Sequence, residues 1–300
     1  MKFYFFLIAC ILPAIKGFSQ NVGVGTTNPA ERLDVNGNIN VAGTIKVNGI
    51  DGQPNQVLMK NNSDVLSWGD LCDYKSLVTF NNGSGNWVVP AGVTRIMIEV
   101  WGAGAGGSNA AGGGGGGYVR IVFPVIAGNN IAYVIGQGGQ GANSDLTNAP
   151  GEPSVVTVTS NSTYVVTANG GSPGGGTQTG MTVANGGSGS ILGPPSTPKD
   201  FIILTGGTGK FSVNTFFNNG STYYEHAYGA DGGNGANSHD TGGMGRMRLH
   251  TTSPTSIIKS TSSSAGKQPG GGGGGAFVVI SNGSTGVGGF GGDGLVMIRY

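Results

Sequence analysis

The sequence predicts an all-β fold supplemented by glycine-specific structure, and three observations carry that reading. Apolar residues alternate with polar ones at period two in several short runs, no helical periodicity persists beyond two turns, and 62 of 300 residues are glycine. Charged residues make up only 10 % and the formal net charge is +1, so nothing in the balance points to nucleic acid or an anionic membrane as partner. Polarity comes instead from Asn, Ser, Thr and the peptide groups themselves.

The first segment reads as a secretory signal, residues 1–19. Lys2 precedes an apolar run from Phe3 to Ile15, and Gly17-Phe18-Ser19 supplies small residues for cleavage before Gln20. The run is shorter than the roughly 20 apolar residues that a membrane span needs, so no transmembrane segment is expected in the mature chain. Cleavage there leaves Cys72 as the one mature cysteine, which excludes an intrachain disulfide.

Residues 20–74 read as a short β-repeat stalk. Six-residue units run Glu31-Arg-Leu-Asp-Val-Asn, Gly37-Asn-Ile-Asn-Val-Ala and Gly43-Thr-Ile-Lys-Val-Asn, with Leu33, Val35, Ile39, Val41, Ile45 and Val47 on the apolar phase. Asn36-Gly37 and Asn48-Gly49 are turn dipeptides because both residue types accept positive φ. Three short strands bury too little to stand alone, so neighbours from other copies are expected. A homo-oligomer, most simply a trimer, would supply them. Val24-Gly-Thr-Thr-Asn-Pro29, Leu33-Asp-Val-Asn-Gly-Asn-Ile39 and the following Gly52-Gln-Pro-Asn-Gln-Val-Leu-Met59 to Trp68-Gly-Asp70 resemble the stalk segments of bacterial surface proteins and phage tail-fibre-like proteins. The self-cleaving ending common in that group, with its Arg-Arg-Leu-Lys motif, has no counterpart here, and autoproteolysis is not carried over.

Residues 75–300 form the glycine-rich body. Strand-like runs are Arg95 to Trp101, Tyr118 to Val125, Ile131 to Ile135, Val155 to Thr159, Tyr164 to Ala168, Ala276 to Ile280 and Leu295 to Tyr300. In the first, Ile96, Ile98 and Val100 alternate with Arg95, Met97 and Glu99, which predicts one buried face. The tracts Gly112 to Gly117 and Gly270 to Gly275 each run directly into an apolar segment, unlike a flexible linker. Ordering a glycine costs roughly 0.5–1 kcal/mol more than ordering an alanine, so an ordered body needs an interaction that only glycine permits. Extended polyglycine helices supply one, since they pack backbone to backbone and must exchange N–H and C=O bonds with neighbours.

Trp87-Val-Val-Pro-Ala-Gly-Val-Thr94, Ile98-Glu-Val-Trp-Gly-Ala-Gly-Ala-Gly-Gly107, the run into Tyr118, and Val134-Ile-Gly-Gln-Gly-Gly139 resemble the glycine-rich domain of bacterial surface proteins. The body is similar in style to the polyglycine adhesin tips of phage tail fibres and to the glycine-rich region of anaplastic lymphoma kinase receptors. The resemblance implies a β-sandwich combined with polyglycine II helices, and no enzymatic activity.

No catalytic, cofactor or metal site is expected from the sequence. Gly102-x-Gly104-x-x-Gly107 matches a dinucleotide fingerprint formally, but the chain continues into more glycine where a helix should open. His226, His239 and His250 lack metal-ligand spacing and read as solvated loop residues, and Gly232 to Asn237 carries Asn where a calcium repeat carries Asp. No nucleophile elbow or close carboxylate pair stands in a suitable context.

The segment from Ile191 to Lys267 interrupts the glycine rhythm with aromatics and arginines, the residue types enriched where surfaces recognise partners. Phe216, Phe217, Tyr223, Tyr224, Tyr228, Arg246 and Arg248 are therefore the candidate recognition residues, assigned to loops. The alternative role for the rings is to plug a core that glycine leaves open. The expected function is a non-enzymatic exported surface protein, an adhesin or fibre-tip-like module for a glycan or surface-protein ligand. The alternative is a passive component of the cell envelope or extracellular matrix. A third reading, ice binding, rests only on the flat faces that polyglycine bundles present, and thermal hysteresis would test it.

Overall fold

Side chains that alternate in the sequence build a two-sheet core. A computed structural model describes residues 21–53, 56–60, 65–70, 74–108, 111–142, 149–159, 162–177, 180–193, 200–218, 223–245, 247–251, 257–260, 263–276 and 287–300. Residues 1–19, read from the sequence as a secretory signal, lie outside the described residues, as do Cys72, Arg246 and residues 277–280 of the expected strand after Ala276. Among the described residues there is no helix. The chain divides into two units, Met1–Leu71 and Cys72–Tyr300.

In the first unit, strand Val22–Val24 pairs in parallel with Leu33–Val35. Lys46–Val47 pairs with Ile50–Asp51 around Asn48-Gly49, whose φ values of 52° and 80° are those the sequence predicts for a two-residue hairpin turn. Gln56–Lys60 pairs with Leu66–Asp70, and the Trp68 indole N–H donates to the Ile50 carbonyl at 3.1 Å. The hexad alternation does not become three regular strands. Residues 36–45 are not in a strand, and Leu33, Ile39 and Ile50 are each more than 60 % exposed. Each hexad strand needs a neighbour to accept its ladder bonds, and one chain supplies a neighbour only where a partner segment folds back.

In the second unit, two five-stranded antiparallel sheets face each other. One has the order Phe201–Leu204, Tyr118–Pro124, Arg95–Trp101, Leu295–Arg299, Leu77–Phe80. The other has the order Gly189–Leu192, Thr163–Ala168, Ser154–Thr159, Asn130–Val134, Ser84–Val88. Val100 lies opposite Val119 and Val296, and Ile98 opposite Ile121 and Ile298, so the alternation predicted for Arg95–Trp101 aligns across three strands. These residues pack against Ile131, Val156, Val158 and Val166 of the facing sheet. Each fully buried side chain of this size contributes about 1.5–3 kcal/mol.

The other phase of Arg95–Trp101 is not simply solvent-facing. Glu99 is buried, and Trp101 packs with Tyr118, Leu295 and Ala236 in a second cluster while its indole N–H donates to the Ala236 carbonyl at 2.9 Å.

Register explains where the glycine goes. Trp101 is opposite Tyr118 and Leu295, and Tyr118 is opposite Leu204, so four chain segments cross the same end of the first sheet. Val134, Ser154, Ala168 and Gly189 are brought together in the same way at one end of the second. The glycine segments 102–108, 111–117, 135–142, 169–174, 183–188, 205–210 and 288–294 are continuations of these strands beyond that end.

Their hydrogen bonds repeat every three residues, not every two. Gly112 and Gly115 donate to Lys210 and Gly207, Gly113 and Gly116 to Gly273 and Gly270, and Gly114 and Gly117 to Ser172 and Asn169. The same tract accepts from Ala105 and Gly102, from Gly233 and Ala236, and from Gly187. A central tract is thus bonded on all sides, which satisfies backbone groups that burial would otherwise leave at a cost of about 1–3 kcal/mol each. A Cβ on Gly114, Gly115 or Gly116 would come closer than 3.0 Å to the carbonyl oxygen of Asn185, Asn234 or Gly102 respectively. Only glycine fits in these three successive directions.

Candidate functional site

Between the glycine segments 205–210 and 263–275 lies a four-stranded antiparallel sheet in the order Val213–Asn218, Tyr223–Tyr228, Met247–Thr251, Ile257–Ser260. Six of the seven candidate residues read from sequence as loop residues therefore lie in strands. The sheet's alternation is carried by Thr, Asn, His and Glu as well as apolar residues, and that mixture obscured the period.

The register assembles the candidates along three adjacent strands. Phe217 stands opposite Tyr224, Phe216 opposite Glu225, and Tyr223 opposite Asn218, at the end away from the bundle. Tyr228 lies opposite Val213 and Met247, and Arg248 opposite Ala227, at the bundle end. Tyr228 is 43 % exposed. Arg246, the remaining candidate, lies outside the described residues. His226 and His250 occupy strand positions, opposite Thr215 and Glu225 respectively, and His239 lies in the 236–242 turn region, so two of the three histidines are not loop residues.

The base of this sheet is tied to the glycine bundle. Ala111 bridges to Phe211, and the Ser212 hydroxyl donates to the Ala276 carbonyl at 2.9 Å. Asp231 accepts from the Gly245 N–H at 3.0 Å and from Lys210 Nζ at 2.9 Å, closing the gap between the chain entering the sheet and the chain leaving it. The Gly245 bond, then Lys210, hold the Asp231 carboxyl below its ordinary value of 3.8.

The dinucleotide-like Gly102-Gly104-Gly107 run is extended and bonded to three other segments. Gly102 donates to Gly117, Gly104 and Gly107 to Gly292 and Gly289, and Ala103 and Gly106 to Glu152 and Ala149. Its N–H groups are thus used within the bundle and are not directed at a phosphate. Among the described residues no group of three or more His, Cys, Asp or Glu side chains converges on a point where a metal ion would sit.

One feature was missed by sequence reasoning. A cleft of about 320 Å³ opens on the bundle's flank, lined by Asn82, Gln137, Gln140, Phe290, Asp293 and neighbouring glycines. The available signal was polar or aromatic residues at a spacing of three, 137 with 140 and 290 with 293, inside otherwise glycine-rich segments.

A β-sandwich whose strands continue into a backbone-bonded glycine bundle defines a glycine-built scaffold class. The chain belongs to the glycine-rich domain family, whose model matches residues 79–300. None of the curated proteins matches the chain.

Proposed function

We propose that the protein is an exported, non-enzymatic surface-recognition module of the adhesin or fibre-tip kind, and that its glycine segments are polyglycine II helices. The observation carrying this reading is the three-residue donor repeat of Gly112 to Gly117. A helix with three residues per turn and no internal bonds directs successive N–H groups to three different neighbours, as these do. None of the six lies in the left-handed region, in keeping with an extended helix.

Such a bundle is a rigid mount. It supports a sheet bearing Phe216, Phe217, Tyr223, Tyr224, Tyr228 and Arg248, and rigid mounting lowers the ordering cost of binding a glycan or a surface protein. Residues 20–74 would join copies, most simply three. This is supported by the exposure of Val22, Leu33, Ile39, Ile45 and Ile50, which single-chain folding leaves in water.

The test uses the full chain expressed with its first 19 residues. Export predicts a secreted product beginning at Gln20, and solution scattering should report the mass of three chains. Saturable binding to cells or to a glycan array should be lost on replacing Tyr223, Tyr224 and Tyr228 together by Ala, with the sandwich intact. No saturable binding to any surface would favour the passive envelope component instead.

A further inference from the structure

We infer that the cleft between the segments 136–142 and 287–294 is a binding site for a neutral, hydroxyl-rich ligand of the hexopyranose class. This deepens the surface-recognition reading and rests on it for the ligand's source.

The two segments run antiparallel and are bonded to each other, Gly291 N–H to the Gly139 carbonyl at 2.8 Å and Gly288 N–H to the Ala142 carbonyl at 3.1 Å. Exposure on both follows a spacing of three: Val134, Gln137 and Gln140 on one, Val287, Phe290 and Asp293 on the other. At a rise of about 3.1 Å per residue, side chains three apart stand about 9.3 Å apart in a row. Two such rows side by side set the functional groups by backbone geometry, with little dependence on side-chain ordering.

The chemistry of the rows selects the ligand. Phe290 is 55 % exposed, more than Phe201, Phe211 or Tyr228, and its face offers a surface for the C–H side of a sugar ring. Asn82, Gln137 and Gln140 supply amide donors and acceptors matched to hydroxyl pairs. Asp293 is oriented by the Gly138 N–H, which donates to its Oδ1 at 2.8 Å, so the carboxylate is fixed before a ligand arrives. Among the described residues no Lys, Arg or His lines the cleft, which disfavours phosphates and acidic sugars. A volume of about 320 Å³ lies at the small end of ligand sites, suited to one or two rings.

The experiment titrates the isotope-labelled full chain with methyl glucoside, methyl galactoside, methyl mannoside, N-acetylglucosamine and sialyllactose, following amide shifts. At least one neutral sugar should shift Gly138 and Gly291 saturably. Phe290→Ala and Asp293→Asn should each weaken that binding by about tenfold or more, with the amides of Gly113 to Gly117 unmoved as proof of an intact bundle. The double variant Gln137→Ala/Gln140→Ala gives an independent reading on surface residues. No shift with any neutral sugar, or shifts that persist unchanged in all three variants, overturns the site. Sugar binding in the cleft without binding to any cell or surface glycan would remove the adhesin reading and leave the site. Cell binding that ignores the cleft variants, with no sugar shifts, would do the reverse.

Discussion

The Tyr118 hydroxyl donates to Glu99 Oε1 at 2.8 Å, joining neighbouring strands at the point where the first sheet gives way to the glycine bundle. Arg299 Nε donates to the other oxygen of the same carboxylate at 3.0 Å, and the Tyr118 ring packs on Trp101 with centroids 4.8 Å apart. An acidic residue that is only 9 % exposed is thus held by one neutral and one charged donor from the two flanking strands.

Removing the neutral donor leaves half of a buried carboxylate unsatisfied. Tyr118→Phe should lower stability by about 1–3 kcal/mol, measured by urea unfolding at neutral pH. Burial first, then the Glu99 bond and its charge, push the Tyr118 hydroxyl well above its ordinary value of 10.0. With the folded-state value raised, its contribution is complete below pH 10 and is lost as pH rises beyond that point. The wild type should therefore lose stability above pH 10 more steeply than Tyr118→Phe, and parallel curves would count against the arrangement.

The glycine bundle makes a sharper prediction because its geometry has no slack. Gly115→Ala would drive a methyl group into the Asn234 carbonyl, and the clash is with backbone on both sides, so neither can turn away. A loss of at least about 3 kcal/mol, or failure to fold, is expected in thermal or urea unfolding. Gly43→Ala, where nothing lies within 4 Å of the added carbon, should change stability by no more than about 0.5 kcal/mol.

At the base of the aromatic sheet, the Asp231 contacts predict a modest acid sensitivity. The folded-state value is depressed, so the stabilisation is present above 3.8 and disappears as pH falls through the folded value. Its side chain is 48 % exposed and that of Lys210 71 %, so solvent screens the ion pair. Asp231→Ala should cost about 1 kcal/mol or less near neutral pH, and more than Lys210→Ala, because the Gly245 bond is the larger influence. Equal losses in the two variants would assign the effect to the ion pair instead.

Much of the sandwich was legible because it obeys a local rule. Ile96, Ile98 and Val100, like Val156 and Val158, alternate along their own strands, and burial on one face follows directly. Leu77–Phe80 was not read because it is only four residues long, and Ser84–Val88 because Ser, Gly and Asn open it; the strand character of both comes from distant pairing, with Leu295–Arg299 and Asn130–Val134 respectively. Gly189–Leu192 was hidden for a related reason, opening on glycine and pairing with Val165 to Ala168. The candidate residues on the four-stranded sheet were found by type but assigned to loops, because the ladder that aligns Phe217 with Tyr224 is invisible to a one-dimensional pattern. Glycine hides its own period most completely. Without side chains, the repeat of three surfaces only where Gln137, Gln140, Phe290 and Asp293 interrupt it.

The edge strand Phe201–Leu204 carries the last prediction. It pairs on one side with Tyr118–Ile121 and ends the sheet on the other, and Phe201, Ile202, Ile203 and Leu204 are all between 38 and 45 % exposed. Among the described residues no strand pairs with its outer side; an apolar edge of this kind invites pairing with another chain, and a charge placed on it blocks that addition more than it disturbs the fold. Ile202 stands opposite Arg120, outside the buried cluster that holds Val119 and Ile121. Ile202→Lys should therefore keep stability within about 1 kcal/mol of wild type while slowing aggregation at raised concentration, followed by light scattering. The control is Ile121→Lys, which puts a charge into the sandwich core and should unfold it. If Ile202→Lys aggregates as fast as wild type, the association surface lies elsewhere, and the exposed apolar residues of the first unit become the next place to substitute.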